Sequence, residues 1–91
     1  MERIFACDAG KRAWILAERG FDLLAMAEVF VDGHRLDYPD ARIDLGEERR
    51  VTIGMALGRI FTVICTIRGP VTWFITAWPA NRKERDRYGQ S

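Results

Sequence analysis

The sequence predicts an α+β domain, with an antiparallel β-meander packed against two N-terminal helices and closed by a short C-terminal helix. Three observations carry this. Apolar residues recur at helical spacing up to about Val31; from Val51 the period falls to two; and the charged stretch after Pro79 regains the look of a helix.

Taken in order, Arg3 to Cys7 is a short opening strand, because Ile4 and Phe5 favour extended backbone. Asp8 then offers a side-chain oxygen to cap a helix that runs to about Arg19, where Gly20 can adopt the left-handed conformation that ends helices. Asp22 caps a second helix, and Phe21 and Met26 have the spacing of a hydrophobic staple. Leu23, Met26, Ala27 and Phe30 give this helix one core face before Asp32-Gly33 stops it.

His34 to Tyr38 reads as a strand, followed by a Pro39-Asp40 turn and a polar loop ending in Gly46-Glu47-Glu48. Val51, Ile53, Met55 and Leu57 alternate with smaller or polar residues, the pattern of a strand with one buried face, and Gly58-Arg59 makes the next turn. Ile60 to Ile67 is apolar on both faces apart from two threonines, as expected of a central strand. After Gly69-Pro70, Val71 to Trp78 supplies another strand. Asn81 and Glu84 then have capping-box spacing at the head of the terminal helix.

Ninety-one residues suffice for one core, so a single domain over 1–91 is expected. No run approaches the roughly 20 apolar residues that span a bilayer, and the N-terminus lacks a basic region followed by a long apolar core. A soluble, cytoplasmic protein with no membrane contact is the expectation. Cys7 and Cys65 stand apart among apolar or small residues and read as buried thiols.

The net charge of +1 conceals two unlike halves. Residues 1–48 hold six Lys/Arg against eleven Asp/Glu, a net of −5, while residues 49–91 hold eight against two, a net of +6. A surface built from the second half attracts polyanions; the acidic stretch from Asp32 to Glu48 can meet a basic partner or simply keep the protein in solution.

Familiar catalytic sets are missing. One histidine, His34, and one serine, the terminal Ser91, give no Ser-His-Asp or Cys-His arrangement, and the two distant cysteines give no zinc-like spacing. No glycine-rich phosphate loop occurs, so no metal and no cofactor is expected. What remains is arginine: Arg49, Arg50, Arg59, Arg68, Arg82, Arg85 and Arg87, with Lys83, Trp78 and Tyr88 close in sequence. Guanidinium groups pair with phosphate oxygens and aromatic rings stack on unpaired bases, a combination suited to RNA. The plainer reading of a basic terminal helix is a solvated face.

Cleavage of RNA through its own 2′-hydroxyl needs no metal. It needs stabilisation of charge at the phosphorane, which arginines supply, and a route for the proton.

The order of several short pieces resembles the BrnT family. They are Asp8 with Lys11, Arg19-Gly20-Phe21, Ala27-Glu28-Val29-Phe30, Gly46-Glu47-Glu48-Arg49, Thr66-Ile67-Arg68, Ile75-Thr76-Ala77, and Pro79 to Arg85 continuing through Tyr88. The resemblance implies a toxin of a type II toxin–antitoxin pair, with a RelE-like ribonuclease fold and metal-independent RNA cleavage. It also implies a BrnA-like antitoxin partner, and a chain that is a monomer alone and a hetero-oligomer with the antitoxin. By this likeness Arg68, which ends the central strand, and Arg49 or Arg50, which opens the meander, are the catalytic candidates. Arg82, Lys83 and Arg85 of the terminal helix are the RNA-binding ones.

Four residues at three places depart from the family pattern. Cys7 stands where a tryptophan is usual, Glu18-Arg19-Gly20 where Lys-His-Gly is usual, and Trp78 where an arginine is usual. Two readings stay open. Either the changes impair cleavage and leave a binding module that recognises a protein partner, or Trp78 stacks a base while Arg19 or Arg82 supplies the missing charge. If Trp78 is a lesion, Trp78→Arg raises activity.

Overall fold

The computed structural model describes residues 3–40 and 48–89. Its elements are β1 (Ile4–Cys7), α1 (Ala9–Arg19), a 3-10 helix (Leu23–Val31), β2 (Leu36–Pro39), β3 (Arg49–Ala56), β4 (Arg59–Arg68), β5 (Val71–Pro79) and α2 (Arg82–Gly89). The strands form one sheet in the order β1-β5-β4-β3-β2. The antiparallel meander runs from β2 to β5, but β1 pairs with β5 in parallel, Ile4 opposite Val71 and Cys7 opposite Phe74. The sheet is therefore mixed and not wholly antiparallel. Without β1 the outer edge of β5 would present unpaired backbone groups, the liability every edge strand carries. Beyond Cys7 that edge is met by Arg19, whose guanidinium donates to the Ala77 carbonyl at 2.7 Å and to Thr76 Oγ1 at 3.1 Å.

The helix ends follow local chemistry. Asp8 Oδ2 accepts from the Lys11 N–H at 2.8 Å, and Gly20 at φ 81 returns its own N–H to the Ile15 and Leu16 carbonyls. Asp22 caps the next segment through the Leu24 N–H. That segment is a 3-10 helix where the sequence predicts α. In a 3-10 helix residues i and i+3 eclipse, and Leu23, Met26 and Val29 are fully buried at that spacing. Ala27, assigned to the core face by the α-helical period, is only partly buried. Val29-Phe30-Val31 are poor α-formers, so a tertiary preference for a straight apolar edge prevails over a weak local one. Fully burying one such side chain contributes about 1.5–3 kcal/mol.

The two faces of the sheet differ. One is covered by α1 and the 3-10 helix, which pack on Phe5, Cys7, Phe61, Val63, Cys65, Phe74 and Ala77. The other carries a smaller cluster, Val51, Ile53 and Ile64 with Leu36, Tyr38, Ile60, Ile75, Trp78 and Tyr88, and among the described residues only α2 crosses it. We call it the open face. β4 is the central strand and is buried on both faces from Phe61 to Thr66. β3 departs from the one buried face that its alternation predicts, because Thr52, Gly54 and Ala56 are buried too. Gly54 allows this: a Cβ there would lie 2.9 Å from Val29 Cγ1.

The turn between β3 and β4 is Leu57-Gly58, with φ of 52 and 76, the pair of positive values a two-residue hairpin needs. The strand expected at His34 begins at Leu36, since Asp32 folds residues 32–35 into a turn by accepting the His34 N–H and, through its carbonyl, the Arg35 N–H. In β5, Ile64 pairs with Thr76 but Cys65 pairs with Phe74, so Ile75 is an extra residue in a β-bulge. The bulge reverses the alternation, sending Phe74 toward the helices and Trp78 to the open face. Of the polar loop, residues 41–47 lie outside the described residues. Among the described residues no helix is long and apolar enough to cross a membrane.

Candidate nucleic-acid interface

Register assigns the arginines that open the meander to opposite faces. Arg49 pairs with Thr66 and shares the open face with Val51 and Ile64; Arg50 pairs with Cys65, on the helix side. Arg50 is also engaged there, its Nε 2.6 Å from Asp37 Oδ1 and its Nη1 3.1 Å from Glu48 Oε1. The hydrogen bond to Asp37 outweighs the opposing effect of burial and raises the guanidinium pKa further. Arg50 thus does not join Arg49, and part of the acidic stretch is accounted for as its counter-charge.

Arg68 lies over the Trp73 ring, 5.0 Å from its centroid, and Trp73 pairs with Thr66. Arg68 is therefore on the face of Arg49, on the neighbouring strand and one diagonal position away. Between them Thr66 donates its hydroxyl to the Glu48 carbonyl at 2.7 Å, tying the start of β3 to the end of β4. Arg49 Nε is buried and has no hydrogen-bond partner among the described residues. A buried donor without an acceptor costs about 1–3 kcal/mol, and such exceptions in a folded protein call for an explanation.

The remaining candidates are distributed around α2. Its head is the capping box that the sequence predicts: Glu84 N–H to Asn81 Oδ1 at 2.8 Å and Asn81 N–H to Glu84 Oε1 at 2.9 Å. Glu84 Oε1 also accepts from Trp78 Nε1 at 3.1 Å, locking the indole against the helix. Arg82 and Lys83 are exposed, while Arg85 is exposed but donates to the Ala80 carbonyl at 2.7 Å. Arg87, which the sequence groups with the other arginines without a role of its own, stacks on Tyr38 at 4.4 Å and donates to its hydroxyl. Tyr88 O–H donates to Asp32 Oδ2 at 2.6 Å and fixes the far end of α2 to the segment before β2. Burial opposes ionisation of Asp32, but that bond and the His34 and Met55 N–H groups outweigh it and hold the carboxyl below its ordinary range. Arg19 belongs to the β5 edge and stacks on Trp14 at 5.1 Å.

Between α2 and the Arg49–Arg68 end of the sheet lies a cleft of about 470 Å³. Its floor is Val51, Thr62 and Ile64; Tyr38, Pro39 and Asp40 form one side, Trp78 and Glu84 the other. Thr62 is fully buried and its Oγ1 has no partner among the described residues. The sequence marks Thr62 only as one of two polar interruptions in an apolar strand. Elsewhere, Cys7 and Cys65 are unpaired thiols, and burial pushes the Cys65 pKa up to about 11. Among the described residues no three His, Cys, Asp or Glu side chains gather into a metal-binding group.

Fold and site together define a small α+β domain that buries one sheet face under helices and leaves the other open beside a basic terminal helix. The family model described as ribonuclease toxin, BrnT, of type II toxin–antitoxin systems matches residues 8–84, and the chain belongs to that family. Membership in such a system implies an antitoxin partner. No curated protein matches the chain.

Proposed function

We propose that the chain is a metal-independent endoribonuclease of RelE-like architecture that acts on cytoplasmic RNA and is neutralised by a BrnA-like antitoxin. The observation that carries this is the placement of Arg49 and Arg68 on the open face of adjacent strands, with the basic helix α2 crossing the same face. In this reading RNA lies across the open face. The 2′-hydroxyl gives up its proton to water as its oxygen attacks the adjacent phosphorus, a 2′,3′-cyclic phosphate forms, the P–O5′ bond breaks and the 5′-oxygen takes a proton from water as it leaves. Arg49 and Arg68 neutralise the non-bridging oxygens as charge builds on the phosphorane, a type of contact whose loss typically costs about 10²–10³ in rate. Arg82, Lys83 and Arg85 hold flanking phosphates as point charges and forks. Arg50 and Arg19 have positioning parts, Arg50 through Asp37 and Glu48, Arg19 at the β5 edge. The protein alone is a monomer and forms a hetero-oligomer with its antitoxin.

A second reading, a binding module of this fold that has lost cleavage, is favoured by one observation: Trp78 occupies the open face beside Glu84, where the family resemblance expects an arginine. Expression of the wild type beside Arg68→Ala, with growth and total RNA followed, separates the two. The expected result is growth arrest and RNA loss with wild type only. If both chains are harmless and RNA stays intact, the enzyme reading fails.

A further inference from the structure

The cleft on the open face has the wrong lining for phosphate and a suitable one for a base. Two aromatic side chains, Tyr38 and Trp78, stand on opposite sides of an apolar floor, and the charged residues that line it, Asp40 and Glu84, are acidic. A volume near 470 Å³ is in the range of small-ligand sites, about 300–1,000 Å³. Cations lie around it, not in it: Arg49 continues the β3 face beyond Val51, and α2 carries Arg82, Lys83, Arg85 and Arg87. A phosphate is attracted to that border and repelled from the centre.

Two polar atoms narrow the ligand. Thr62 Oγ1 at the floor is fully buried without a partner among the described residues, and a hydroxyl there can either donate or accept. Both hydrogen bonds that the Glu84 carboxylate accepts, from Trp78 Nε1 and the Asn81 N–H, use Oε1, so Oε2 accepts none among the described residues. A carboxylate oxygen on an aromatic-walled cleft calls for a flat ring with N–H donors on one edge. Among the four RNA bases guanine alone presents a ring N–H beside an amino group, together with a carbonyl oxygen that a threonine hydroxyl can meet.

We propose that this cleft is a guanine subsite for single-stranded RNA, in which Glu84 accepts the N1–H and N2–H donors, Thr62 meets O6 or N7, and Trp78 and Tyr38 flank the ring. It deepens the ribonuclease reading and rests on it for the identity of the polymer. Guanine in the cleft puts its own phosphates toward Arg49 and α2, which sets the position of the cut relative to a G.

The test uses the full chain and the 2′-O-methyl trinucleotides UGU, UAU and UUU, which resist cleavage at the 2′-position, titrated by NMR. Expected are shifts of the Trp78 indole N–H and of the Val51 and Ile64 methyls, with UGU bound at least about fivefold more tightly than the others. Thr62→Val removes the hydroxyl with little change of shape. It should weaken UGU binding about 3- to 10-fold while leaving the melting temperature unchanged or higher, because Oγ1 has no partner to lose among the described residues. Glu84→Gln keeps an oxygen for the helix cap and should abolish the preference for UGU. Equal affinity for the three trinucleotides, or wild-type affinity in Thr62→Val, overturns the subsite. So do shifts at these residues with an arginine-bearing peptide and none with RNA, which would assign the cleft to a protein partner. Cleavage of long RNA without base preference leaves the ribonuclease reading standing and removes the subsite; UGU-selective binding with no cleavage of any RNA does the reverse.

Discussion

Replacing Arg49 by Met separates what this side chain does for the fold from what it does for RNA. Methionine keeps an unbranched stem to cover the sheet between Val51 and Thr66 and removes the buried Nε–H that has no acceptor among the described residues. Burying such a donor costs about 1–3 kcal/mol, and since Arg49 as a whole is only partly buried we take the lower end, about 1 kcal/mol, as the relief. For a chain of 91 residues that is a rise in melting temperature of about 5 °C. Cleavage, by contrast, loses a positive charge at the phosphorane and should fall about 10²–10³-fold. Thermal unfolding followed by circular dichroism measures the first effect, and hydrolysis of a fluorogenic RNA oligonucleotide the second. Arg49→Lys controls for charge and should retain part of the activity. A variant that melts several degrees lower yet cuts RNA at the wild-type rate would show that Arg49 is a structural residue and that the open face has been misread.

Other positions give independent checks. Gly54→Ala places a Cβ 2.9 Å from Val29 Cγ1 and 3.2 Å from Arg35 Cβ, so urea unfolding should show a loss of about 1–3 kcal/mol. Leu57→Asn, at φ 52 in an exposed hairpin turn, should gain about 0.5–1 kcal/mol, because asparagine tolerates that conformation and little packing is given up. Tyr88→Phe removes the hydroxyl that helps keep Asp32 ionised. Because the folded Asp32 pKa is lowered, its stabilisation is present above the unfolded carboxylate value of about 3.9 and fades as pH falls through the lower folded value. Urea melts should therefore show a wild-type advantage of about 1–2 kcal/mol at pH 7 that narrows below about pH 4, and a pH-independent gap would refute this coupling.

Where local chemistry decides, the sequence is legible. The Asp8 cap, the Gly20 stop, the capping box of α2 and the burial of β4 on both faces follow from side chains within a few residues of one another. What depends on distant partners is not. The parallel docking of β1 depends on an edge of β5 that exists only once the meander has formed. The 3-10 helix depends on packing against the sheet, chiefly along Leu23, Met26 and Val29. Most consequential for the site is the bulge at Ile75. Strict alternation puts Phe74 and Trp78 on one face, whereas the extra residue parts them and turns the indole into the cleft. The same limit applies to adjacent arginines: Arg49 and Arg50 look interchangeable in sequence, but a strand sends neighbours to opposite faces, and only the register with Thr66 and Cys65 says which goes where.

Trp78 is where the two accounts of this chain make opposite predictions. If the tryptophan is a lesion at a position that needs a cation, Trp78→Arg restores the charge and raises cleavage. If it is a wall of a base subsite, the same change removes a stacking surface worth about 1–3 kcal/mol, and the new guanidinium meets Glu84, the carboxylate to which the indole already donates, before it can meet phosphate. The geometry favours the second outcome: loss of guanine preference and slower cleavage of a G-containing oligonucleotide. Combining Trp78→Arg with Glu84→Gln removes that counter-charge and isolates the effect of the cation. Activity that rises in the single variant and rises again in the double one would mean that the cleft awaits a phosphate, and that its carboxylate restrains the enzyme instead of reading a base.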